Sequence, residues 1–297
     1  MHERVKKLKA IKQPEQRSDE WFLQRQSKVT ASEVASCLYM TRRVCEEYVN
    51  QYGLHDTFRY SETKTCNPYS SRKAYITKKA NDFGKQIRMP DNEFTLWGKK
   101  FEETATRYYC VINNTEIHDF GLLPHPRLRW LAASPDGITN DGIMLEIKCP
   151  KRRKITGVPP LYYWCQCQLQ LEVTGLEYCD FLECDILEVP KEEWVNYQTD
   201  KKGILIECDK ETFKYLPRVK MSDEEMESWA ENSLEEGENI CYYTILESSI
   251  VRIPRSTTWF NNVKEDIRET WQEFMNLVEE LKDRPPEPPP PPKECLL

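Results

Sequence analysis

S-P-D-G-I-T-N-D-G-I-M-L-E-I-K, residues 134–148, sets a Pro-Asp ten residues ahead of a Glu-x-Lys. An apolar run over 128–133 precedes Asp136, and a second run, Ile143, Met144, Leu145 and Ile147, carries Glu146 and Lys148. Gly137, Asn140, Asp141 and Gly142 are turn formers between them, so the spacing predicts two strands joined as a hairpin. Side chains alternate along a strand, which puts Glu146 and Lys148 on one face, roughly 6.5–7 Å apart. The hairpin brings Asp136 back to the same end.

Two carboxylates and an ammonium at one place have a definite chemical use. Mg²⁺ takes hard oxygen ligands, usually one or two carboxylates, and keeps other positions for water and phosphate oxygen. Asp136 and Glu146 are the candidate ligands, with the Ile147 carbonyl as a third. A water on such an ion is a better nucleophile at phosphorus, and Lys148 would orient it or balance the developing charge. The plainer alternative is a turn aspartate and a solvated Glu/Lys pair; Glu-x-Lys alone is common, and Pro-Asp at this spacing between apolar runs is what favours the metal site.

With those residues in view, S-P-D-G…L-E-I-K-C-P resembles the PD-(D/E)XK nucleases, most closely their lambda exonuclease and YqaJ-like viral recombinase branch. Three more motifs agree in order. W-F-L-Q-R-Q-S-K-V-T-A-S-E-V at 21–34 is similar to the branch's N-terminal segment, W-G-K-K-F-E-E at 97–103 to its W-G-K helix, and Y-Y-W-C-Q-C-Q-L-Q at 162–170 to its Tyr…Gln-x-Gln helix. The resemblance runs over about residues 15–190. It implies an α/β fold with the PD-(D/E)XK core, a mixed central sheet flanked by helices. The activity it implies is metal-dependent 5′-to-3′ exodeoxyribonuclease action on double-stranded DNA ends, with Mg²⁺ as cofactor and Mn²⁺ tolerated. A 5′-phosphate pocket built from Arg25, Ser32 and Ser134 is implied too, as are a basic residue after Lys-Cys-Pro, either Arg153 or Lys154, and a DNA contact from Gln166. Partners implied are duplex DNA, a single-strand annealing protein, and further copies of the chain in a ring trimer. Some relatives cut RNA, or cut DNA internally, and a non-catalytic nucleic-acid-binding protein is the third reading.

Each motif also has a physical reading. Trp97, Phe101, Ala105, Tyr108 and Tyr109 recur at helical intervals, and Glu102 sits at the margin of that apolar face. From there it reaches the metal or one of its waters, or is simply a solvated carboxylate. Leu161, Trp164, Gln168 and Leu171 share a face of another helix, so Gln168 is aimed inward and needs either a water, a phosphate oxygen or a structural backbone partner. Thr30 or Ser32 begins a further helical pattern, a hydroxyl beside free backbone N–H groups. Arg25 just upstream is a two-pronged donor suited to a terminal phosphate.

A chain of 297 residues with 39% hydrophobic content can bury a sizeable core. The net charge of −7 argues against indiscriminate nucleic-acid binding, yet the charge is segregated: 148–154 hold five basic groups in seven, and 222–239 hold eight acidic groups and no basic one. That pattern suits an electropositive cleft on an acidic body. The acidic stretch reads as a solvated loop. No apolar run reaches membrane-spanning length and the first residues lack a signal-peptide core, which predicts a soluble, intracellular protein without membrane association. Twelve irregularly spaced cysteines read as reduced core residues. Cys165 and Cys167 fall on opposite sides of a helix, and Cys179 and Cys184 on opposite faces of a strand, so no iron–sulfur cluster is expected.

Along the chain the pattern predicts helices at 15–25 and 30–40, an unassigned polar stretch at 46–93 with a helix near 72–83, and a strand at 116–123. After the hairpin come a helix at 160–173 and strands at 178–187, 204–207 and 241–253. A long amphipathic helix from Thr257 ends near Asp283, and seven prolines within 285–292 form an extended tail. Residues 1–284 are expected to make one nuclease domain and 285–297 a proline-rich, disordered tail.

Overall fold

The computed structural model describes residues 1–85, 91–217 and 220–282. The proline-rich tail and the expected helix end at Asp283 lie outside the described residues. Within them, a seven-stranded mixed sheet runs in the order β2 (Ile117–His118), β5 (Gly137–Thr139), β6 (Ile143–Lys148), β7 (Tyr178–Glu188), β10 (Asn239–Pro254), β8 (Lys202–Glu207) and β9 (Phe213–Tyr215). β6 and β7 are parallel, as they must be when α6 (Leu161–Thr174) crosses between them, and the other neighbours are antiparallel. A second sheet, in the order β1 (Val29–Thr30), β4 (Leu131–Ala133), β3 (Leu123–Pro124), sits apart.

β6 is apolar at four of its six positions because both its faces are covered. Leu145 and Ile147 meet Phe101, Ala105 and Tyr109 of α5 (Glu93–Ile112), while Met144 joins the core beneath α6. Glu146 and Lys148, in step with Met144, therefore project toward α6. Outside α6 lies α9 (Thr257–Lys282), whose Trp259, Phe260, Val263, Ile267, Phe274 and Val278 are buried. Its apolar spacing made it legible in sequence.

Several expectations change. Asp136 does not follow the strand that pairs with β6: β4 belongs to the small sheet, and the hairpin partner is β5, which begins after Asp136 and pairs Gly137 with Leu145 and Ile138 with Met144. Gly137 is thus a strand residue, where a Cβ would collide with the Ile117 side chain; Gly142, at φ +84°, is the turn glycine. The helix expected at 30–40 is a short 3-10 segment, Ala31–Ser36. The strand expected at 116–123 splits into β2 and β3, in different sheets. In the polar stretch the helix expected near 72–83 is present as α4 (Arg72–Asp82), and a further helix, α3 (Arg42–Tyr52), runs into its start.

The acidic loop is corrected most clearly. Residues Asp223–Ser233 form a helix, α8, started by Ser222 and Glu225, whose side chains bond each other's backbone N–H groups. Three acids in its first turn suit the positive end of the helix dipole. Among the described residues no helix is long and apolar enough to cross a membrane.

Candidate active site

Asp136, Glu146 and Lys148 meet where β5 and β6 begin to diverge. The Pro135–Asp136 loop is pinned by Gln16, whose amide donates to the carbonyls of Phe120 (2.8 Å) and Pro135 (2.9 Å). From that loop Asp136 reaches the neighbouring strand, its Oδ2 accepting from the Ile147 N–H at 2.7 Å. Glu146 is wholly buried, at 0% exposure. Its Oε1 accepts from Gln166 Nε2 (2.6 Å) and from the Lys148 ammonium, and its Oε2 from Gln170 Nε2 (2.7 Å). Gln170 also donates to the Ser134 carbonyl at 3.2 Å, tying α6 to the loop that bears Asp136.

The electrostatics are those of crowded carboxylates short of positive charge. Burial, and then the charge of Glu146, hold the Asp136 carboxyl well above its ordinary range, with Glu102 adding to the effect. Burial opposes the charge on Lys148, yet Glu146 and Asp136 outweigh it and raise its pKa. Tyr163 lies under the ammonium, 4.9 Å from Nζ to the ring centre. On β7, Glu183 stands in register with Lys148, buried, and paired with Arg153.

Among the described residues no group of three or more His, Cys, Asp or Glu side chains is arranged to hold a metal ion. The donor set nevertheless fits a hard divalent cation, which takes one or two carboxylates and leaves the remaining positions to water and substrate oxygen. Asp136 and Glu146 provide those carboxylates, and the buried Gln170 Oε1 is an acceptor with no hydrogen-bond partner.

The other expected residues divide. Glu102 is near enough to act on Asp136, and pairs with Arg17 at 2.7 Å. Arg25 donates to Thr30 Oγ1 (3.2 Å) and Ser32 Oγ (3.1 Å), and its guanidinium lies 4.1 Å over the Trp21 ring. The indole of Trp21 in turn donates to Ser134 Oγ at 2.9 Å. One tryptophan thus joins Arg25 and Ser134 to the loop of Asp136. The hydroxyl of Ser32 is not at a free helix terminus: Glu33 accepts from the Thr30 N–H and hydroxyl and pairs with Lys79, so that start is already capped. Of the two basic candidates after Lys-Cys-Pro, Arg153 faces Glu183 beside Lys148, whereas Lys154 is exposed.

Gln168 is the correction. It is buried, but its amide donates to the Pro254 carbonyl and accepts from the Ser256 N–H, both at 2.8 Å, on the α9 side of α6. The residues facing Glu146 are Gln166 and Gln170. Helical spacing holds the signal: residues four apart share a face, and Gln168, two from each, lies across the helix from them. Glu183 and Tyr163 were missed as well; an acid at an inward position of an apolar strand was the available clue to Glu183. The described cysteines are free thiols, with Cys45 and Cys66 Sγ atoms 4.0 Å apart.

Comparison with known proteins bears out the family likeness read from the motifs. Residues 59–177 match the YqaJ-like viral recombinase domain family. That span includes Glu102, Ser134, Asp136, Glu146, Lys148 and the three glutamines of α6, and leaves out Arg25 and Ser32. An uncharacterized protein, R354, of Acanthamoeba polyphaga mimivirus is 29% identical over 278 residues, covering 78% of this chain. The chain spans 45% of the length of that curated relative. Among solved structures, LHK-Exo in complex with dAMP is 20% identical with a TM-score of 0.52, covering 89% of this chain and 96% of its own. A second structure of LHK-Exo, an alkaline exonuclease from Laribacter hongkongensis, gives 19% identity and a TM-score of 0.50 over the same shares. The fold is therefore the one those exonucleases adopt.

Lys148 supplies a test of the buried cluster that is independent of activity. Removing one partner of a buried ion pair costs about 3–5 kcal/mol, because the other charge is left uncompensated. Lys148→Met should lower the urea midpoint strongly, and adding Glu146→Gln should restore part of the loss. A single variant as stable as the wild type would show that Glu146 does not depend on this ammonium.

Proposed function

We propose that this chain is a divalent-metal-dependent deoxyribonuclease that removes nucleotides from the 5′ end of duplex DNA. The observation that carries the reading is the convergence of Asp136 and Lys148 on the buried Glu146, which Gln166 and Gln170 clamp. Asp136 and Glu146, with the Ile147 carbonyl, would hold Mg²⁺, with Mn²⁺ as a substitute. The ion, when bound, supplies Lewis acidity and lowers the pKa of water. The chain's own groups do the rest. Gln170 fixes Glu146 against the Ser134 loop, so both carboxylates keep their spacing during turnover. Lys148, kept protonated by its two acidic neighbours, balances charge that builds on the attacked phosphate. Arg153, held on the buried Glu183, would meet a backbone phosphate.

The end preference rests on Arg25. Its guanidinium is stacked on Trp21 and already bonded to two hydroxyls, so little freedom is lost when it takes a terminal phosphate. Because Trp21 also bonds Ser134, a phosphate held by Arg25, Ser32 and Ser134 is positioned relative to the Asp136 loop. Viral or phage recombination, in company with a single-strand annealing protein, is the setting proposed from the family likeness, and assembly into a ring trimer belongs to the same proposal.

Asp136→Ala, Glu146→Ala and Lys148→Ala should each abolish cleavage of end-labelled duplex while leaving most DNA affinity, which comes from phosphate contacts elsewhere. Near-normal turnover by Glu146→Ala would sink the assignment of this site.

A 5′-hydroxyl duplex should be cut more slowly than its 5′-phosphate twin. Losing one charge-assisted contact costs roughly 1.5–3 kcal/mol, on the order of ten- to a hundredfold in rate. Arg25→Ala should erase most of that advantage. Equal losses on both substrates, or efficient cutting of closed circular DNA or of RNA, would favour an internal or RNA-directed nuclease.

A further inference from the structure

Beyond the phosphate and metal contacts, a row of tyrosines leads from solvent to Lys148. Tyr69 is 80% exposed, the most exposed large hydrophobic side chain among the described residues. Its ring meets Tyr162 edge-on at 5.7 Å, Tyr162 lies 4.1 Å from Tyr163, and Tyr163 lies under the Lys148 ammonium at 4.9 Å. Tyr163 is itself seated on Phe181 of β7, 5.6 Å away, so the inner end of the row is part of the core.

An exposed tyrosine alone asks for no explanation. This one stands on a loop that is fastened at many points. The Asn67 N–H donates to the Ala35 carbonyl (3.1 Å), its amide to Ser36 Oγ (2.8 Å), and its Oδ1 accepts from the Tyr69 N–H (2.9 Å). The Thr65 hydroxyl closes the loop onto the carbonyls of Asn67 (2.9 Å) and Ser70 (2.7 Å). Asn67 and Ser70 also line a cleft of about 860 Å³ that contains Arg25 and Ser32. The same anchored loop therefore borders the phosphate-binding candidates and presents an aromatic ring to solvent at the head of a row ending at Lys148. A ring carried on an anchored backbone loses less entropy on contact than one on a mobile loop, and every base has a π face that stacks on it.

We propose that Tyr69, backed by Tyr162, is a stacking platform for an unpaired nucleobase of the DNA strand that passes the hydrolytic site. This rests on the nuclease reading. The chemistry calls for no hydrogen-bond readout of the base, so the platform is sequence-tolerant and acts on affinity and positioning. Tyr69 is a positioning residue and takes no part in the proton or phosphoryl chemistry.

The test uses the full chain and short single-stranded oligonucleotides carrying one 2-aminopurine at successive positions, with EDTA present so that no strand is cut. Stacking should quench the label at one position. Tyr69→Ala should remove that quench and weaken binding roughly tenfold, and Tyr69→Phe should keep both. The thermal midpoint of Tyr69→Ala should match the wild type, because the ring is mostly in solvent; Tyr162→Leu, tested in parallel, should weaken the quench without abolishing it. A Tyr69→Ala protein that binds and quenches like the wild type overturns the platform and leaves the nuclease reading standing. Quenching by a wild type that cuts no DNA with Mg²⁺ or Mn²⁺ upholds the platform and overturns the nuclease reading instead.

Discussion

A carboxylate with no exposure to water is the constraint on which this structure turns. Glu146 lies in the middle of the sheet, where an isolated charge is costly unless it is both paired and hydrogen-bonded. Lys148, Gln166 and Gln170 supply those bonds from two elements, β6 and α6. Everything that fixes α6 against β6 consequently fixes the site. The parallel β6–α6–β7 crossover sets the helix over the strand, Gln168 fastens its other face to Pro254 and Ser256, and α9 closes over it with Trp259 edge-on to Trp164 at 5.5 Å. Gln168 thus serves the centre indirectly, by holding the helix on which Gln166 and Gln170 stand.

The same arrangement explains why Asp136 is where it is. It lies in a loop between two sheets, and a loop alone would not place a carboxylate with any accuracy. Gln16 and Trp21 from the N-terminal region, and Gln170 from α6, each bond the segment from Ser134 to Pro135, and Ile147 N–H holds the Asp136 side chain. The N-terminal segment is therefore structural support for the carboxylates as well as the carrier of Arg25.

Much of this was legible in the chain. Alternation along β6 gave the shared face of Glu146 and Lys148, helical spacing gave α5, α6 and α9, and the motif order gave the fold. What the sequence hid was partnership. Three glutamines at two-residue intervals look alike in a string, and only the direction of the helix decides which pair meets Glu146. The apolar run before Asp136 pairs with β1 and β3 and not with β6, a choice made by distant residues. The acidic stretch hid a helix because charge density suggested solvent, although Ser222 and Glu225 carried the start signal. Tyr163 meets Lys148 from another element, which no local pattern reveals, and for Glu183 the clue was its inward position on an apolar strand.

The central claim is that Asp136 and Glu146 together bind a divalent ion. Calorimetric titration of Mn²⁺ into the full chain, without nucleic acid, tests it most directly, since the readout owes nothing to substrate or turnover. Wild type should bind the ion saturably, and Asp136→Asn, which keeps the size and hydrogen-bonding reach of the side chain but removes its charge, should lose most of that affinity. Equal binding by the two proteins would place the ion elsewhere and contradict the account.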